Sequence, residues 1–217
     1  MGSQSSAPPR LALIGMSGAG KTFWARKLAA AGWAAISCDD VIEKKLSERL
    51  TARGYSGING VAAWMGWPDS PTYAEHEAEY LAQEIAALDE VLTRLEKHPE
   101  ESLVLDTTGS VIYTGNNLLM RLRRHTTVVH LAASLQEQQL LIDRYLQDPK
   151  PVLWRGAFQP KKGEAPRDTV ARCYPTLIAA RRQSYQTLAH CTLELTALRD
   201  PALDASAFLE MIREKGL

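Results

Sequence analysis

Cysteine is scarce in this 217-residue chain, which contains only Cys38, Cys173 and Cys191. The three lie far apart and form no C-x-x-C pair, which argues against a disulfide framework and against a cysteine zinc site. We therefore expect three free thiols in a reducing compartment. The five histidines have no metal-ligand spacing either, and we expect them to be structural or exposed.

Net charge and long apolar runs are also lacking. Lysine and arginine number 25, and so do aspartate and glutamate, so no overall field would attract nucleic acid or an anionic membrane. No apolar run approaches the length that spans a bilayer, and the opening MGSQSSAPPR has no apolar segment of a secretory signal. We expect a cytoplasmic protein with no nucleic-acid or membrane partner, as a monomer or a weak homodimer.

Short apolar runs alternate with helical patterns along the chain. The length allows one domain over residues 10–217, after a disordered lead at residues 1–9. Five runs resemble buried parallel strands, each bounded by turn or helix signals: 10–16, 33–37, 102–106, 127–132 and 191–195. The alternation predicts an α/β fold in three layers, with a five-stranded parallel sheet between helices.

One segment breaks this pattern. Residues 54–71 contain repeated glycine and proline, which predicts a loop or a short irregular insertion. Trp64 and Trp67 lie within it, and they could either shape a substrate pocket or anchor the loop as satellite core. From Ala74 onward, leucine and isoleucine recur every three or four residues, which predicts a long amphipathic helix that stops near Pro99.

The stretch GMSGAGKT satisfies the pattern G-x-x-x-x-G-K-[ST] between a predicted strand and a predicted helix. Backbone N–H groups of such a loop surround phosphate oxygens, and the helix N-terminus adds positive potential. Lys21 would neutralise the β- and γ-phosphates, and the Thr22 hydroxyl could ligate Mg²⁺. The motif predicts an ATP and magnesium site formed by Gly15, Ser17, Gly18, Ala19, Gly20, Lys21 and Thr22.

Carboxylates follow two of the predicted strands. Asp39 and Asp40 come after the second strand, at the edge where open α/β sheets bind ligands. Either could accept a proton from an attacking hydroxyl or hold a magnesium-bound water, and either could simply cap the next helix. Asp106 closes the third strand, where it could order magnesium through water or cap the turn DTTGS.

Three segments together resemble shikimate kinase and its small-molecule kinase relatives: GMSGAGKT, DDVIE and LIAARRQSYQTLA at residues 177–189. The resemblance implies a P-loop fold like that of nucleoside-monophosphate kinases, with a mobile lid. It also implies transfer of the γ-phosphate of ATP to a hydroxyl of a small metabolite. By position, Asp39 matches the family's substrate-binding base and Arg181 the arginine that grips the substrate carboxylate. Gly109 matches the centre of a substrate-binding glycine triplet.

The resemblance also extends to the nucleotide end of the site. KPVLW is similar to the lid edge of the family, which makes Lys150 a catalytic lid cation. The implied lid covers residues 148–172, although a charged loop of this length could also be plain solvated surface. Arg144, Arg199 and Pro201 lie where the family holds adenine. The implied substrate-covering insertion spans residues 50–80.

Departures from the family pattern affect the acceptor more than the chemistry. Ser37 stands where the family has a second aspartate, Ala74 where it has a second carboxylate-binding arginine, and Thr108 and Ser110 flank the one remaining glycine of the triplet. Asp106 could order magnesium in place of the family's second aspartate. A related kinase with an acceptor other than shikimate is therefore at least as well supported. A nucleoside or nucleotide kinase and a nucleotide-binding switch remain the alternatives.

Overall fold

A computed structural model describes residues 9–216 of the chain. Its sheet has five strands, all parallel, in the order β2-β3-β1-β4-β5. The strands are β1 (Arg10–Ile14), β2 (Ala34–Ser37), β3 (Leu103–Asp106), β4 (Thr127–Ala132) and β5 (Cys191–Glu194). All five predicted strands are confirmed, and so is the parallel sheet. The predicted lead falls on residues 1–8, which lie outside the described residues, and on Pro9.

Nine helices are described over residues 9–216. They are α1 (Lys21–Ala30), α2 (Cys38–Lys45), α3 (Ser47–Thr51), α4 (Gly57–Met65), α5 (Tyr73–Lys97), α6 (Asn116–His125), α7 (Leu135–Gln147), α8 (Pro166–Leu188) and α9 (Ala205–Arg213). Short 3₁₀ turns occupy Val111–Tyr113 and Leu195–Leu198. In this part of the chain no helix combines the length and the apolar character that crossing a bilayer needs.

The helices cover the sheet on both faces because successive strand side chains point to opposite sides. In β1, Ala12 and Ile14 face a larger core beneath α2 to α8. Leu11 and Leu13 face a smaller core beneath α1 and α9. Nearly every strand residue of β1, β3 and β4 is buried, as expected of parallel strands with helices on both faces. The predicted three-layer α/β/α architecture is confirmed.

The segment predicted as an irregular loop contains helix α4, which is a correction. Glycines at positions 57 and 60 lower its helix propensity, but Val61, Trp64 and Met65 form one apolar face that packs into the core. Trp64 is 2% exposed and stacks on His76 with ring centroids 4.4 Å apart. Its core interpretation is therefore the better one, whereas Trp67 stays 37% exposed.

Residues 148–172, the covering segment, were predicted to form a lid, and part of this segment is buried. Val152, Leu153 and Trp154 are buried in the core. The Tyr73 hydroxyl donates to Val152 O at 2.6 Å and accepts from the Trp154 N–H at 3.1 Å. From residue 166 the chain is already helix α8. Between these two parts, residues 155–165 form a largely exposed loop, and a mobile lid over residues 148–172 stays a prediction.

Candidate active site

The carboxyl ends of β1, β2 and β3 bring the predicted site residues to one edge of the sheet. Asp106, the last residue of β3, lies in register with Leu13 on one side and Ser37 on the other. The Ser37 hydroxyl caps α2 by accepting from the Asp40 N–H at 3.2 Å. Because Ser37 supplies the cap, Asp39 and Asp40 lie in the first turn of α2 with their carboxylates available for other work.

The P-loop is held in a phosphate-binding conformation by glycine. Gly15, Gly18 and Gly20 all have positive φ, at 141°, 80° and 85°. A Cβ at Gly15 would lie 2.7 Å from Leu131 O, so only glycine lets β1 run this close to β4. Gly20 immediately precedes α1, whose first N–H groups therefore point into the loop.

Lys21 is the buried cation of this loop. The residue is 7% exposed, and its ammonium donates to Gly15 O at 3.0 Å and Met16 O at 3.1 Å. Burial lowers the pKa of Lys21, and the nearby carboxylates of Asp106 and Asp39 oppose that effect. The lysine is thus oriented by the loop before any phosphate arrives.

A cleft of about 500 Å³ opens in front of the loop. It brings together many of the predicted residues: Ser17, Gly18, Gly20, Lys21, Thr22, Asp39, Gly109, Arg144 and Lys150. Gly15 and Ala19 support the loop from beneath, since both are buried. Arg181, Asp106, Arg199 and Pro201 are not among the residues that line this cleft.

Asp39 is the half-buried carboxylate of the cleft. The Tyr80 hydroxyl of α5 donates to its Oδ1 at 3.3 Å. Burial raises the pKa of Asp39 to about 6, and Lys21 is the main influence in the opposite direction. Asp40 also lines the cleft but is exposed. Helix α5 presents Tyr80 to this carboxylate, and not Ala74, which lies exposed near the start of the helix.

Asp106 does not line the cleft and is 4% exposed. Burial raises its pKa, while Lys21 and a hydrogen bond with the Thr22 side chain oppose the rise. Among residues 9–216, its buried Oδ1 has no hydrogen-bond partner. An unpaired carboxylate oxygen beside a hydroxyl fits a water-mediated contact to magnesium. In the same range no group of three or more His, Cys, Asp or Glu could hold a metal alone, so such an ion would depend on phosphate oxygens.

Arg181, predicted to grip a substrate carboxylate, is 2% exposed in α8. Its two terminal nitrogens donate to backbone carbonyls, Nη1 to Gly109 O at 2.9 Å and Nη2 to Leu153 O at 2.6 Å. The Tyr185 hydroxyl also donates to Gly109 O. The arginine therefore joins α8, the covering segment and the turn after β3, and its contact with substrate stays a prediction.

Glu84 is the residue that the sequence reasoning missed. It is 2% exposed on α5, one turn after Tyr80, and accepts hydrogen bonds from the Thr108 hydroxyl and, at 2.7 Å, from the Ser110 hydroxyl. Burial raises the pKa of Glu84 to about 7, and the two hydroxyls oppose that rise. The sequence contained a sign of this buried carboxylate, because Glu84 interrupts the apolar face of α5 that packs into the core.

The residues predicted near adenine separate into two groups. The Arg144 guanidinium approaches Gly18 O at 3.4 Å, beside the P-loop. Arg199 instead pairs with Glu137 Oε1 at 3.0 Å, and Pro201 is exposed. Lys150 lines the cleft and contacts Asp148 Oδ2 at 2.7 Å and Asn59 Oδ1. Lys150 thus lies across the cleft mouth between the covering segment and α4.

No family model and no curated protein sequence matches this chain. Solved structures do match it along nearly its whole length. The shikimate kinase of Acinetobacter baumannii, solved in complex with shikimate, has a TM-score of 0.59 at 23% identity, covering 96% of this chain and 92% of that one. This chain has the fold of the shikimate kinases.

Two further structures support the same assignment of the fold. The shikimate kinase of Bacteroides thetaiotaomicron has a TM-score of 0.56 at 20% identity, over 95% of this chain and 97% of that one. The dephospho-CoA kinase of Campylobacter jejuni has a TM-score of 0.53 at 11% identity, over 95% and 96%. These values establish the P-loop kinase fold and leave the acceptor open, because kinases of different substrates share it.

Proposed function

We propose that this protein is an ATP-dependent kinase that transfers the γ-phosphate to a hydroxyl group of a small metabolite. One observation carries the proposal: the P-loop with Lys21 and the carboxylate of Asp39 line the same cleft of about 500 Å³. A nucleotide-binding switch has no need of a half-buried carboxylate held by a tyrosine beside the phosphate loop. A kinase needs that carboxylate for its acceptor.

At the phosphate end, the chain supplies positioning and charge. The glycine loop and the first N–H groups of α1 would bind the β- and γ-phosphate oxygens. Lys21 is already directed along the loop by two carbonyls, so binding phosphate requires little reorganisation. Thr22 and Asp106 would hold magnesium, directly and through water. When bound, that ion would offset negative charge that develops on the phosphate oxygens.

At the acceptor end, Asp39 would orient the acceptor hydroxyl and take its proton. A carboxylate with a pKa of about 6 is mostly ionised at neutral pH and is more basic than an ordinary aspartate. The Tyr80 hydrogen bond fixes one carboxylate oxygen and leaves the other free to face the acceptor. General-base help of this kind accelerates a reaction by about 10² to 10⁴-fold.

Two further cations close the cleft on the nucleotide side. Arg144 lies beside Gly18, and Lys150 bridges the covering segment to α4. Both would meet charge on the nucleotide or on the transferring phosphoryl group. Arg199 and Pro201 would reach adenine only from outside the present cleft wall.

The test is ADP release from MgATP across a panel of hydroxylated compounds, including cyclic and linear hydroxy acids, sugars, polyols and nucleosides. We expect release that depends on an acceptor, with Lys21→Ala inactive and Asp39→Asn strongly slowed although it still binds ATP. If no compound raises ADP release above the rate without acceptor while MgATP binds, the kinase proposal is wrong. A partner that binds only one nucleotide state would then favour a switch.

A further inference from the structure

The turn after β3, at residues 108–110, forms the part of the cleft wall that packs against the P-loop. Thr108 and Gly109 both line the cleft. A Cβ at Gly109 would lie 3.3 Å from Ser17 N and 3.7 Å from Gly15 O, so the two backbones are close neighbours. The position of this turn therefore fixes how near a molecule bound against it lies to the phosphate loop.

The backbone of the turn is held from the side of α8 and β1. Arg181 Nη1 donates to Gly109 O at 2.9 Å, and the Tyr185 hydroxyl donates to the same oxygen. The Thr107 hydroxyl, just before the turn, donates to Leu13 O at 2.8 Å. These bonds fix the start of the turn and its central carbonyl. They leave the two flanking side chains to be held from elsewhere.

Helix α5 holds those side chains through one carboxylate. Glu84 Oε1 accepts from the Thr108 hydroxyl, and Glu84 Oε2 accepts from the Ser110 hydroxyl at 2.7 Å. The Thr108 hydroxyl in turn accepts from the Ser110 N–H at 3.1 Å. Glu84 is 2% exposed, and burial of a carboxylate is unfavourable unless its hydrogen bonds compensate. Both oxygens of this buried carboxylate are thus used on a single turn.

The cleft-lining residues of the described chain include Thr108 but neither Glu84 nor Ser110. The bond between those two side chains can therefore act on a molecule in the cleft only through the turn or through the charge of the carboxylate. One helical turn before Glu84, the Tyr80 hydroxyl donates to Asp39 Oδ1 at 3.3 Å. The same face of α5 therefore holds both the carboxylate proposed as the base and the turn in the wall beside it.

We propose that Glu84 is a positioning residue of the kinase, whose hydrogen bonds to the hydroxyls of Thr108 and Ser110 hold residues 108–110 where the acceptor binds. The inference rests on the proposed kinase function and names a residue that shapes the acceptor part of the same site. Hydrogen bonds carry the effect, and the charge is not needed. A glutamine amide at this position can donate to Ser110 Oγ while the Ser110 hydroxyl turns toward Thr108 Oγ1, 3.2 Å away. An apolar side chain holds neither hydroxyl.

The experiment compares Glu84→Met, which removes both hydrogen bonds, with Glu84→Gln, which keeps them without the charge. ADP release is measured with MgATP and an acceptor that the panel identifies, and the Kd for MgATP is measured separately. In Glu84→Met the kcat/KM for the acceptor should fall at least about tenfold, as expected for lost hydrogen bonds, while the Kd for MgATP stays within about twofold. Glu84→Gln should restore the acceptor kcat/KM to within about threefold of the wild type. Glu90→Met makes the same change at an exposed position of α5 and should alter neither quantity.

A smaller change tests the same bond if Glu84→Met does not fold. Ser110→Ala removes only the hydroxyl that binds Glu84 Oε2, and the acceptor kcat/KM should fall by about threefold to tenfold. Adding Ser110→Ala to Glu84→Met should lower it by less than Ser110→Ala does alone, because the two residues share one bond.

Four results would overturn the inference. Wild-type acceptor kinetics in Ser110→Ala and in a folded Glu84→Met would show that the turn does not depend on Glu84. Equal losses in Glu84→Gln and Glu84→Met would assign the effect to the charge. A matching loss of MgATP binding would show a general structural role. In these three cases the kinase function stands. If no compound raises ADP release in the wild type although MgATP binds, the proposed function fails and this inference falls with it.

Discussion

Lowering the pH from 7.5 to 5 protonates Asp39 and so tests its role as the base. Burial raises its pKa to about 6, and the charge of Asp106 adds to the rise, although Lys21 and the Tyr80 hydrogen bond lower it. At pH 7.5 nearly all of this carboxylate is ionised, and at pH 5 roughly one tenth is. Because only the ionised form accepts a proton, kcat/KM for the acceptor should fall about tenfold between these two pH values, with an apparent pKa near 6.

The direction of a second change follows from one hydrogen bond. The Tyr80 hydroxyl stabilises the ionised form of Asp39 and thereby lowers its pKa. In Tyr80→Phe the acidic limb of the pH profile should therefore move to higher pH. In Asp39→Asn the limb should vanish and the rate at pH 7.5 should fall by about 10² to 10⁴-fold.

The assay is initial-rate ADP release over this pH range with any acceptor that the panel identifies, and MgATP binding is measured separately at each pH. Glu84 titrates nearby, with a pKa of about 7, so Glu84→Gln serves as the control. A limb near pH 6 that persists in Glu84→Gln belongs to Asp39. A flat profile in the wild type, or an Asp39→Asn enzyme with the wild-type rate, would refute the assignment of the base.

Three further outcomes are expected. Lys21→Ala should abolish ADP release while circular dichroism shows an unchanged fold, because the ammonium's hydrogen bonds within residues 9–216 go to carbonyls of its own loop. Gly15→Ala should lower the free energy of unfolding by about 2 kcal/mol or more in urea titrations, since its Cβ would lie 2.7 Å from Leu131 O at positive φ. Glu84 should make the wild type lose about 3 kcal/mol of stability as pH rises from 4.5 to 7, because its pKa is higher in the folded state. Glu84→Gln should remove that part of the pH dependence, and an unchanged slope would contradict the burial of an ionisable group there.

The strands and the P-loop were predictable because their signals are local. A buried parallel strand is a continuous apolar run, as in residues 103–106, and the glycine loop follows such a run directly. Helix α5 was predictable for the same reason, since its apolar stripe repeats over 25 residues. Helix α4 was not, because Gly57 and Gly60 weaken its local preference and its packing against α5 stabilises it instead.

The hydrogen-bond partners of individual polar side chains were not predictable where they lie far away in the sequence. Arg181 binds carbonyls 72 and 28 residues away in the chain, and no local pattern indicates that these would occupy it. Glu84 finds its hydroxyl partners 24 and 26 residues away. Ser37 is a counterexample, because an N-cap serine is a local feature and its role could have been read from the sequence.

Three of the four departures from the family pattern, at Ala74, Thr108 and Ser110, concern the acceptor, and the fourth, at Ser37, concerns magnesium. At the phosphate end, the Lys21 ammonium donates to a carbonyl of its own loop. Among the described residues, Asp106 has a carboxylate oxygen without a hydrogen-bond partner, and its side chain lies beside Thr22. Asp106 could therefore order magnesium although Ser37 replaces the family's aspartate. At the acceptor end, Tyr80 lies against Asp39 and the guanidinium of Arg181 is bound to backbone. In the proposed kinase, changing only the acceptor wall would alter which hydroxyl is presented to Asp39, while the groups that would stabilise the transferring phosphoryl remain in place.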